Sequence, residues 1–285
     1  MPELPDLIYI EKKLSNFLPG KTVVATKVTE PIVIRNNLGR KFEDAFTGCS
    51  FTELFRRGPF LGFRFDAPLE IIIHPMLAGR FYIESPQIEK SSRPPGAKDL
   101  CFRMELSDSG VFAYYDDKKM GKVYLIEKGN YSSIAKFENQ GPYILGEEFS
   151  YDVFQKIVSS RRQQVRAFLL DQTNISSVGN AYGDEILFAA GIHPKTFCHQ
   201  LSQEEKQKLF DSILSVMREG IEAVETAAKS VDIKVRDHMK VRNRKGEDCP
   251  RCGAKIRREN VLGYDAFFCP TCQPPKRDLF IDWKK

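Results

Sequence analysis

The sequence predicts an α+β protein in which a β-sandwich or β-barrel segment is followed by a helical segment and a cysteine-bearing tail. After a short helical start, apolar residues alternate or cluster in short runs separated by Gly, Pro, Asn, Asp and Ser, which is typical of antiparallel β-structure. Beyond these runs, apolar residues recur with helical spacing. Four of the seven cysteines lie in the last quarter of the chain.

The N-terminal segment begins with a predicted helix over residues 5–18, which Pro19-Gly20 ends. The apolar face of this helix is formed by Leu7, Ile10, Leu14 and Phe17. Short strands are predicted over the next hundred residues, the clearest at 22–28, 51–56, 70–74, 100–106 and 111–115. The proline-rich stretch 91–97 is predicted to be a loop.

The pattern changes to helical after Asn-Gln-Gly-Pro at 139–142. Helices are predicted at 151–159, 161–172, 181–190 and 203–228. Ser202 and Glu205 form a predicted capping box for the last helix, and Gly191 a predicted C-cap for the third. We therefore predict a β-sandwich domain, a linker, a helical domain and a cysteine-bearing hairpin segment, at 1–135, 136–147, 148–240 and 241–285.

Two C-x-x-C pairs predict a metal site in the tail. Cys249 and Cys252 are followed, after 16 intervening residues, by Cys269 and Cys272. Four thiolates at this spacing are typical of one structural zinc ion, because no ligand position is left for a water. The intervening segment is long enough for a β-hairpin. The other cysteines are scattered singly, which favours free thiols over a disulfide framework.

The charge of the chain is concentrated near this site. Residues 231–285 contain 14 Lys and Arg against 8 Asp and Glu, although the net charge of the whole chain is only +5. A basic surface around a metal module is suited to a polyanion such as nucleic acid, but a solvated basic surface explains it equally well. The acidic, proline-containing start is unlike a signal peptide, and no apolar run is long enough to span a membrane.

The second residue is a proline, whose chemistry depends on removal of Met1. A chain beginning at Pro2 would carry a free secondary amine, and α-amino groups have pKa values near about 7.7–8.0. Such an amine is partly neutral at pH 7 and can attack carbon to form a covalent intermediate. Glu3 supplies an adjacent carboxyl group for proton transfer. On its own this pair decides little, because most prolines at this position are inert.

Several motifs occur in an order that resembles the formamidopyrimidine-DNA glycosylase / endonuclease VIII family. They are PELP at 2–5, LLDQ at 169–172, VGNAY at 178–182, DEILF at 184–188, GIHP at 191–194 and RKGE at 244–247, followed by the four-cysteine finger and Gln273. The resemblance covers nearly the whole chain. It implies a β-sandwich domain, a helix–two-turn–helix domain and a zinc finger, which together flip a damaged base out of DNA, excise it and nick the strand.

The resemblance also implies roles for individual residues. Pro2 would be the nucleophile, Glu3 the proton donor, and Glu185 a glutamate near the active site. Leu77, Lys118 and Met120 would fill the gap left by the flipped base. The remaining DNA-binding residues would be Lys119, Asn180, Arg257, Arg258 and Tyr264.

Two positions depart from the family pattern. Pro59 stands where a lysine is usual after the Arg-Arg pair, and Tyr264 stands where the finger usually has an arginine. Lys21 or Lys119 could replace the missing ammonium in space. Arg257 or Arg258 could replace the missing guanidinium only from the same face of the hairpin.

These observations favour an active DNA glycosylase with abasic-site (AP) lyase activity by β/δ-elimination. A DNA-binding protein specific for damage or structure, with weak or no catalysis, and a glycosylase for bulky or cross-linked bases remain alternatives. The expected partner is double-stranded DNA with damaged bases or abasic sites. We also expect a monomer without a membrane partner, located in the cytoplasm and associated with the nucleoid in a bacterium.

Overall fold

A computed structural model describes residues 2–86 and 96–276 of the chain. Most of the predicted loop at 91–97, and Met1, lie outside these residues. The chain divides into two units: unit 1 comprises Met1–Glu138 and Ile221–Val235, and unit 2 comprises Asn139–Gly220 and Arg236–Lys285.

Unit 1 contains the N-terminal helix and two β-sheets. Helix α1 spans Leu4–Phe17, close to the prediction, and packs beside strand β3. The strands are β1 (Val23–Val28), β2 (Ile34–Asn36), β3 (Phe51–Arg57), β4 (Phe60–Phe65), β5 (Leu69–His74), β6 (Arg80–Glu84), β7 (Leu100–Leu106), β8 (Val111–Tyr115) and β9 (Lys122–Glu127).

The two sheets form the predicted β-sandwich of the α+β fold. One sheet has the order β1-β7-β8-β6 and is antiparallel, whereas the other has the order β2-β9-β5-β4-β3 with one parallel pair, β2 and β9. Aromatic side chains join the sheets, since the rings of Phe63 and Phe112 lie 5.1 Å apart. Alternation along β7 buries Phe102 and Met104 in this core, as its sequence predicts.

Unit 2 contains most of the helices and the hairpin. The helices are α2 (Tyr151–Ser159), α3 (Val165–Leu170), α4 (Asn180–Ala190) and α5 (Gln203–Ala227), and the hairpin strands are β10 (Arg257–Val261) and β11 (Tyr264–Phe268). The backbone amides of Ser202 and Glu205 bond to each other's side chains, which confirms the capping box. Gly191 ends α4 with a φ of 71°, as predicted.

Helix α3 is shorter than the predicted 161–172 because the backbone before it pairs elsewhere. The Val165 amide donates to the carbonyl of Thr196, and the Cys198 amide donates to that of Gln163. These bonds replace the first helical turn. Helix α5 is shared by the two units: its last residues and the segment to Val235 add Val224, Val231 and Val235 to the core of unit 1.

No helix among the described residues combines the length and the apolar character needed to cross a membrane.

Candidate functional site

Pro2 and Glu3 lie directly ahead of helix α1. Both are buried, and the Glu3 side chain is only 5% exposed. The Glu3 amide donates to Asp6 Oδ2 at 2.8 Å, which fixes the backbone at the start of the helix. The nitrogen of Pro2 is therefore adjacent to a helix N-terminus, where the backbone dipoles disfavour a positive charge.

Leu77 lies on an exposed turn, residues 75–79, which we call the Leu77 loop. Three hydrogen bonds hold the turn: the Met76 amide donates to His74 Nδ1 at 3.0 Å, the Gly79 amide donates to the Pro75 carbonyl at 2.8 Å, and Lys234 Nζ donates to the Leu77 carbonyl at 3.2 Å. Burial, and secondarily Lys122, lowers the pKa of His74 to about 4, so its ring is neutral at pH 7 and can accept the bond from the Met76 amide. Leu77 itself is 49% exposed.

Lys118, Lys119 and Met120 lie on a second turn, residues 116–121, the Met120 loop. The fully buried carboxylate of Asp116 accepts bonds from the amides of Lys118 and Gly121, at 2.9 and 2.6 Å. Met120 is 43% exposed. The loops thus present two exposed apolar side chains and a cation on hydrogen-bonded turns, and the entry of these side chains into DNA stays a prediction.

A buried proline, Pro59, occupies the position at which the family usually has a lysine. Pro59 is buried in the two-residue turn between β3 and β4, after Gly58 with a φ of 52°. The two lysines considered as replacements are engaged elsewhere. Lys21 pairs with Asp108, and Lys119 Nζ donates to the Lys98 carbonyl at 3.0 Å and lies 3.5 Å from Glu30.

Asn180 is the first residue of helix α4, and its side chain is oriented by a buried arginine. Nη2 of Arg166 donates to Asn180 Oδ1 at 3.0 Å. Because the amide oxygen is occupied, the Nδ2 group remains as a donor. A helix N-terminus with such a donor is suited to a phosphate.

The same arginine belongs to an ion cluster that joins α4 to the hairpin. Arg166 and Asp184 are each 1% exposed and bonded at 2.9 Å, and Arg242 binds the other Asp184 oxygen at 2.7 Å. Both arginines also donate to the carbonyl of Asp265, while the Phe267 amide donates to Asp184. Burial raises the pKa of the Asp184 carboxyl, and the two arginines oppose that rise.

Glu185, which follows Asp184 in helix α4, binds backbone amides of the segment 240–242. Its carboxylate accepts bonds from the amides of Lys240, Val241 and Arg242 at 2.8, 2.9 and 2.8 Å. Glu185 therefore holds the segment that leads into the finger. Its catalytic role stays a prediction.

The register of the hairpin separates the two candidate arginines. Val261 is opposite Tyr264, and Arg257 is opposite Phe268, so Tyr264 and Arg257 share a face. Arg258 lies on the other face, where its guanidinium is 3.5 Å from Asp265. Of the two, only Arg257 is on the face required to replace the missing guanidinium.

The four tail cysteines meet in one cluster. Their Sγ atoms all lie within 4.8 Å of one another, with Cys249 and Cys272 at 3.9 Å and Cys252 and Cys269 at 3.5 Å. Thiolates around a tetrahedral zinc ion are separated by about 3.8 Å. Backbone amides at Arg251 and Cys272 donate to the sulfurs of Cys249 and Cys269, which stabilises thiolates. The cluster fits a closed, structural zinc site.

Three family models match successive parts of the chain. They are the formamidopyrimidine-DNA glycosylase N-terminal domain at residues 1–123, the H2TH domain of the same enzymes at 141–232, and the zinc finger found in FPG and IleRS at 246–275. The formamidopyrimidine-DNA glycosylases of Heliobacterium modesticaldum and Desulfitobacterium hafniense are each 30% identical to this chain, over 96% of its length and 100% of theirs.

The chain belongs to the formamidopyrimidine-DNA glycosylase family.

A solved family structure has the same fold. It is a complex of Lactococcus lactis Fpg with DNA that contains an abasic site, with a TM-score of 0.84 and 26% identity, over 96% of this chain and 100% of that one. Family membership confirms the predicted class: the chain is a DNA-repair glycosylase, its partner is DNA, and its four cysteines bind one structural zinc ion.

The sequence did not reveal the ion cluster that joins helix α4 to the hairpin. Arg166, Asp184 and Arg242 received no role, although an arginine within the apolar stretch of α3 and an acid within the buried α4 are signs of a buried ion pair.

Proposed function

We propose that the chain excises damaged bases from double-stranded DNA through the amine of Pro2, and then cleaves the strand at the abasic site. The observation that carries the proposal is the buried Pro2-Glu3 pair at the start of helix α1. This location favours the neutral, nucleophilic form of an N-terminal amine once Met1 is removed. Lactococcus lactis Fpg has been solved on DNA containing an abasic site and on DNA containing FAPY-dG, which supports the same substrate class here.

In the proposed reaction, the Pro2 amine attacks C1′ of the damaged nucleoside, and the bond from C1′ to the base breaks. The departing base takes up the proton that the amine loses. Glu3 protonates the ring oxygen of the sugar, so the ring opens and an iminium links Pro2 to C1′. Loss of a proton from C2′ expels the 3′ phosphate, a second elimination expels the 5′ phosphate, and water releases the sugar remnant.

The exposed side chains support base extrusion and phosphate binding. Leu77, Lys118 and Met120 would occupy the gap beside the flipped nucleotide, which offsets an unstacking cost of a few kcal/mol. In unit 2, the DNA phosphates would be bound by Asn180, Arg257 and Tyr264. Lys119 of unit 1 and Arg258 of unit 2 would have secondary roles, because each already lies beside an acidic side chain. We further propose that the protein acts as a monomer in the cytoplasm, associated with the nucleoid in a bacterium.

A damage-binding protein with weak catalysis is the second candidate. It is favoured by buried Pro59 in the place of the lysine and by the engagement of Lys21 and Lys119 with other groups. If the chain is instead a glycosylase, as proposed above, Pro2 and Glu3 suffice for slow base excision without the lysine that Pro59 replaces.

Borohydride trapping separates the two candidates. Mature, untagged protein should form a covalent adduct with duplexes that contain a formamidopyrimidine lesion or an abasic site. A matched protein that retains Met1 should bind the same DNA and form no adduct. Glu3→Gln should slow base excision more than cleavage at a preformed abasic site, since an abasic sugar already samples its open form. Binding by mature protein without adduct on any substrate would establish the second candidate.

A further inference from the structure

Tyr114 lies where the two exposed loops of unit 1 end. A Cβ atom added at Gly79, the last residue of the Leu77 loop, would lie 2.2 Å from the Tyr114 hydroxyl oxygen. One added at Gly121, the last residue of the Met120 loop, would lie 2.0 Å from the same oxygen. The hydroxyl therefore packs against the backbone of both loops, and only glycine leaves room for it.

The ring that carries this hydroxyl is fixed. Tyr114 is fully buried in β8, the strand between β7 and β6. Its ring centroid lies 5.5 Å from that of Phe81 and 6.0 Å from that of Phe102, on the strands to either side. A side chain held in a sheet core has little freedom to move, so its tip is a rigid reference point.

The hydroxyl oxygen of Tyr114 is fully buried and has no hydrogen-bond partner among the described residues. A buried hydroxyl without a partner costs about 1–3 kcal/mol, whereas phenylalanine would fill the same ring volume without that cost. The oxygen is therefore best explained by the contact that it makes with the two loops.

We propose that Tyr114 is a positioning residue, whose hydroxyl sets the spacing between the Leu77 loop and the Met120 loop. Leu77, Lys118 and Met120 are then presented to DNA as one unit rather than as two independent turns. Insertion into a duplex requires these side chains to enter one gap together, and a small displacement of one loop would misalign them. This inference rests on the proposed base-flipping function.

The first test compares Tyr114→Phe with Tyr115→Phe. Tyr115 is the adjacent buried tyrosine, on the opposite face of β8. Tyr114→Phe should slow single-turnover excision of a paired lesion by about tenfold, with a loss of about twofold or less on the same lesion in a single strand. Fluorescence of 2-aminopurine beside the lesion should show reduced unstacking, as it should for Met120→Ala. Tyr115→Phe should match wild type.

A purely structural role predicts a different result. It would lower the midpoint of thermal unfolding and reduce activity on both substrates equally. Equal rates for Tyr114→Phe and wild type on the paired lesion would also overturn the inference.

The second test uses alanine at the two glycines, neither of which has a positive φ. Gly121→Ala should impair paired-lesion excision, and adding Tyr114→Phe should restore it in part. The second substitution removes the hydroxyl contact at 2.0 Å, and the new methyl then meets Asp116 Oδ2 at 2.9 Å and the ring Cζ of residue 114 at 3.0 Å. Gly79→Ala should not be rescued, since the Pro75 backbone oxygen remains at 2.5 Å. No rescue at Gly121, or equal rescue at both positions, would contradict the proposed contact.

Failure of this inference is distinguishable from failure of the proposed function. If wild-type protein forms no adduct on any abasic substrate, the proposed function is wrong. If wild-type protein traps normally and the Tyr114→Phe protein shows no defect restricted to paired DNA, only the positioning role is wrong.

Discussion

The two units hold the side chains that we propose contact DNA in different ways. In unit 1, the Leu77 and Met120 loops are held by short-range bonds within each turn and by glycines that pack on one phenol. In unit 2, Asn180 and the hairpin are joined by a buried ion cluster whose members are 14 to 99 residues apart in sequence. Local bonds fix the backbone within each loop and the phenol lies against both loops, whereas the ion cluster makes the helix and the hairpin interdependent.

Removal of zinc should produce the largest effect and should be confined to unit 2. Structural zinc sites contribute on the order of 10 kcal/mol to the folding of small modules, so chelation or Cys269→Ser should unfold the hairpin. The ion cluster should then lose its contacts at Asp265 and Phe267. Limited proteolysis and DNA affinity report the change, and Cys49→Ser, a thiol of unit 1, serves as the control. Intact DNA affinity after loss of the metal would contradict the role of the finger.

Substitution of Asp184 tests the ion cluster directly. Asp184→Asn leaves two partly or fully buried guanidinium groups without an anion, which should lower the free energy of unfolding by about 3–5 kcal/mol. Glu247→Gln removes an exposed pair with Arg244 and should cost about 1 kcal/mol or less. Urea unfolding of both variants measures the difference. Similar losses for the two would mean that the cluster is not a buried structural unit.

Acidification should affect the Leu77 loop of unit 1. Because the folded-state pKa of His74 is about 4 and an unfolded histidine titrates near 6.5, the unfolded chain binds more protons between these values. The stabilisation is present above about pH 6.5 and falls by up to about 3 kcal/mol as pH drops towards 4. His193 is also shifted downward by burial. The test is therefore the difference in pH dependence between wild type and His74→Gln, with exposed His199→Gln as control. Parallel profiles would refute the assignment.

Asn180→Ala should have the smallest effect. If the amide binds a phosphate, affinity should fall by a similar factor of about tenfold for every duplex, and the salt dependence should stay unchanged, because a neutral amide releases no counterion. Asn130→Ala, on an exposed turn of unit 1, should leave binding unchanged. A loss restricted to one lesion would instead identify Asn180 as a base-reading residue.

Local patterns made much of the fold predictable from sequence. Strict alternation predicted β7, the Ser202–Glu205 pair predicted the start of α5, and the C-x-x-C spacing predicted the zinc cluster. Each of these depends on residues close together in the chain. The end of α4 at Gly191 belongs to the same class, since one positive φ decides it.

Features that depend on distant residues were not predictable. The start of α3 is decided by backbone bonds to residues 196–198, and the neighbours of Arg166 lie in α4 and the hairpin. The role of Glu185 as an acceptor for three amides requires the segment at 240–242 to be adjacent in space. The family resemblance named positions on these elements, but the contacts that fix them came only from the structure.

The division of helix α5 between the units has a consequence for how the protein can evolve. The chain crosses between units after Glu138, Gly220 and Val235, and Val224, Val231 and Val235 complete a core that residues 1–138 otherwise form. A recombination event that moved the β-sandwich as one uninterrupted stretch of gene would leave these valines behind. The sandwich is therefore expected to be inherited together with the helical unit, and not to occur as a freely exchanged module.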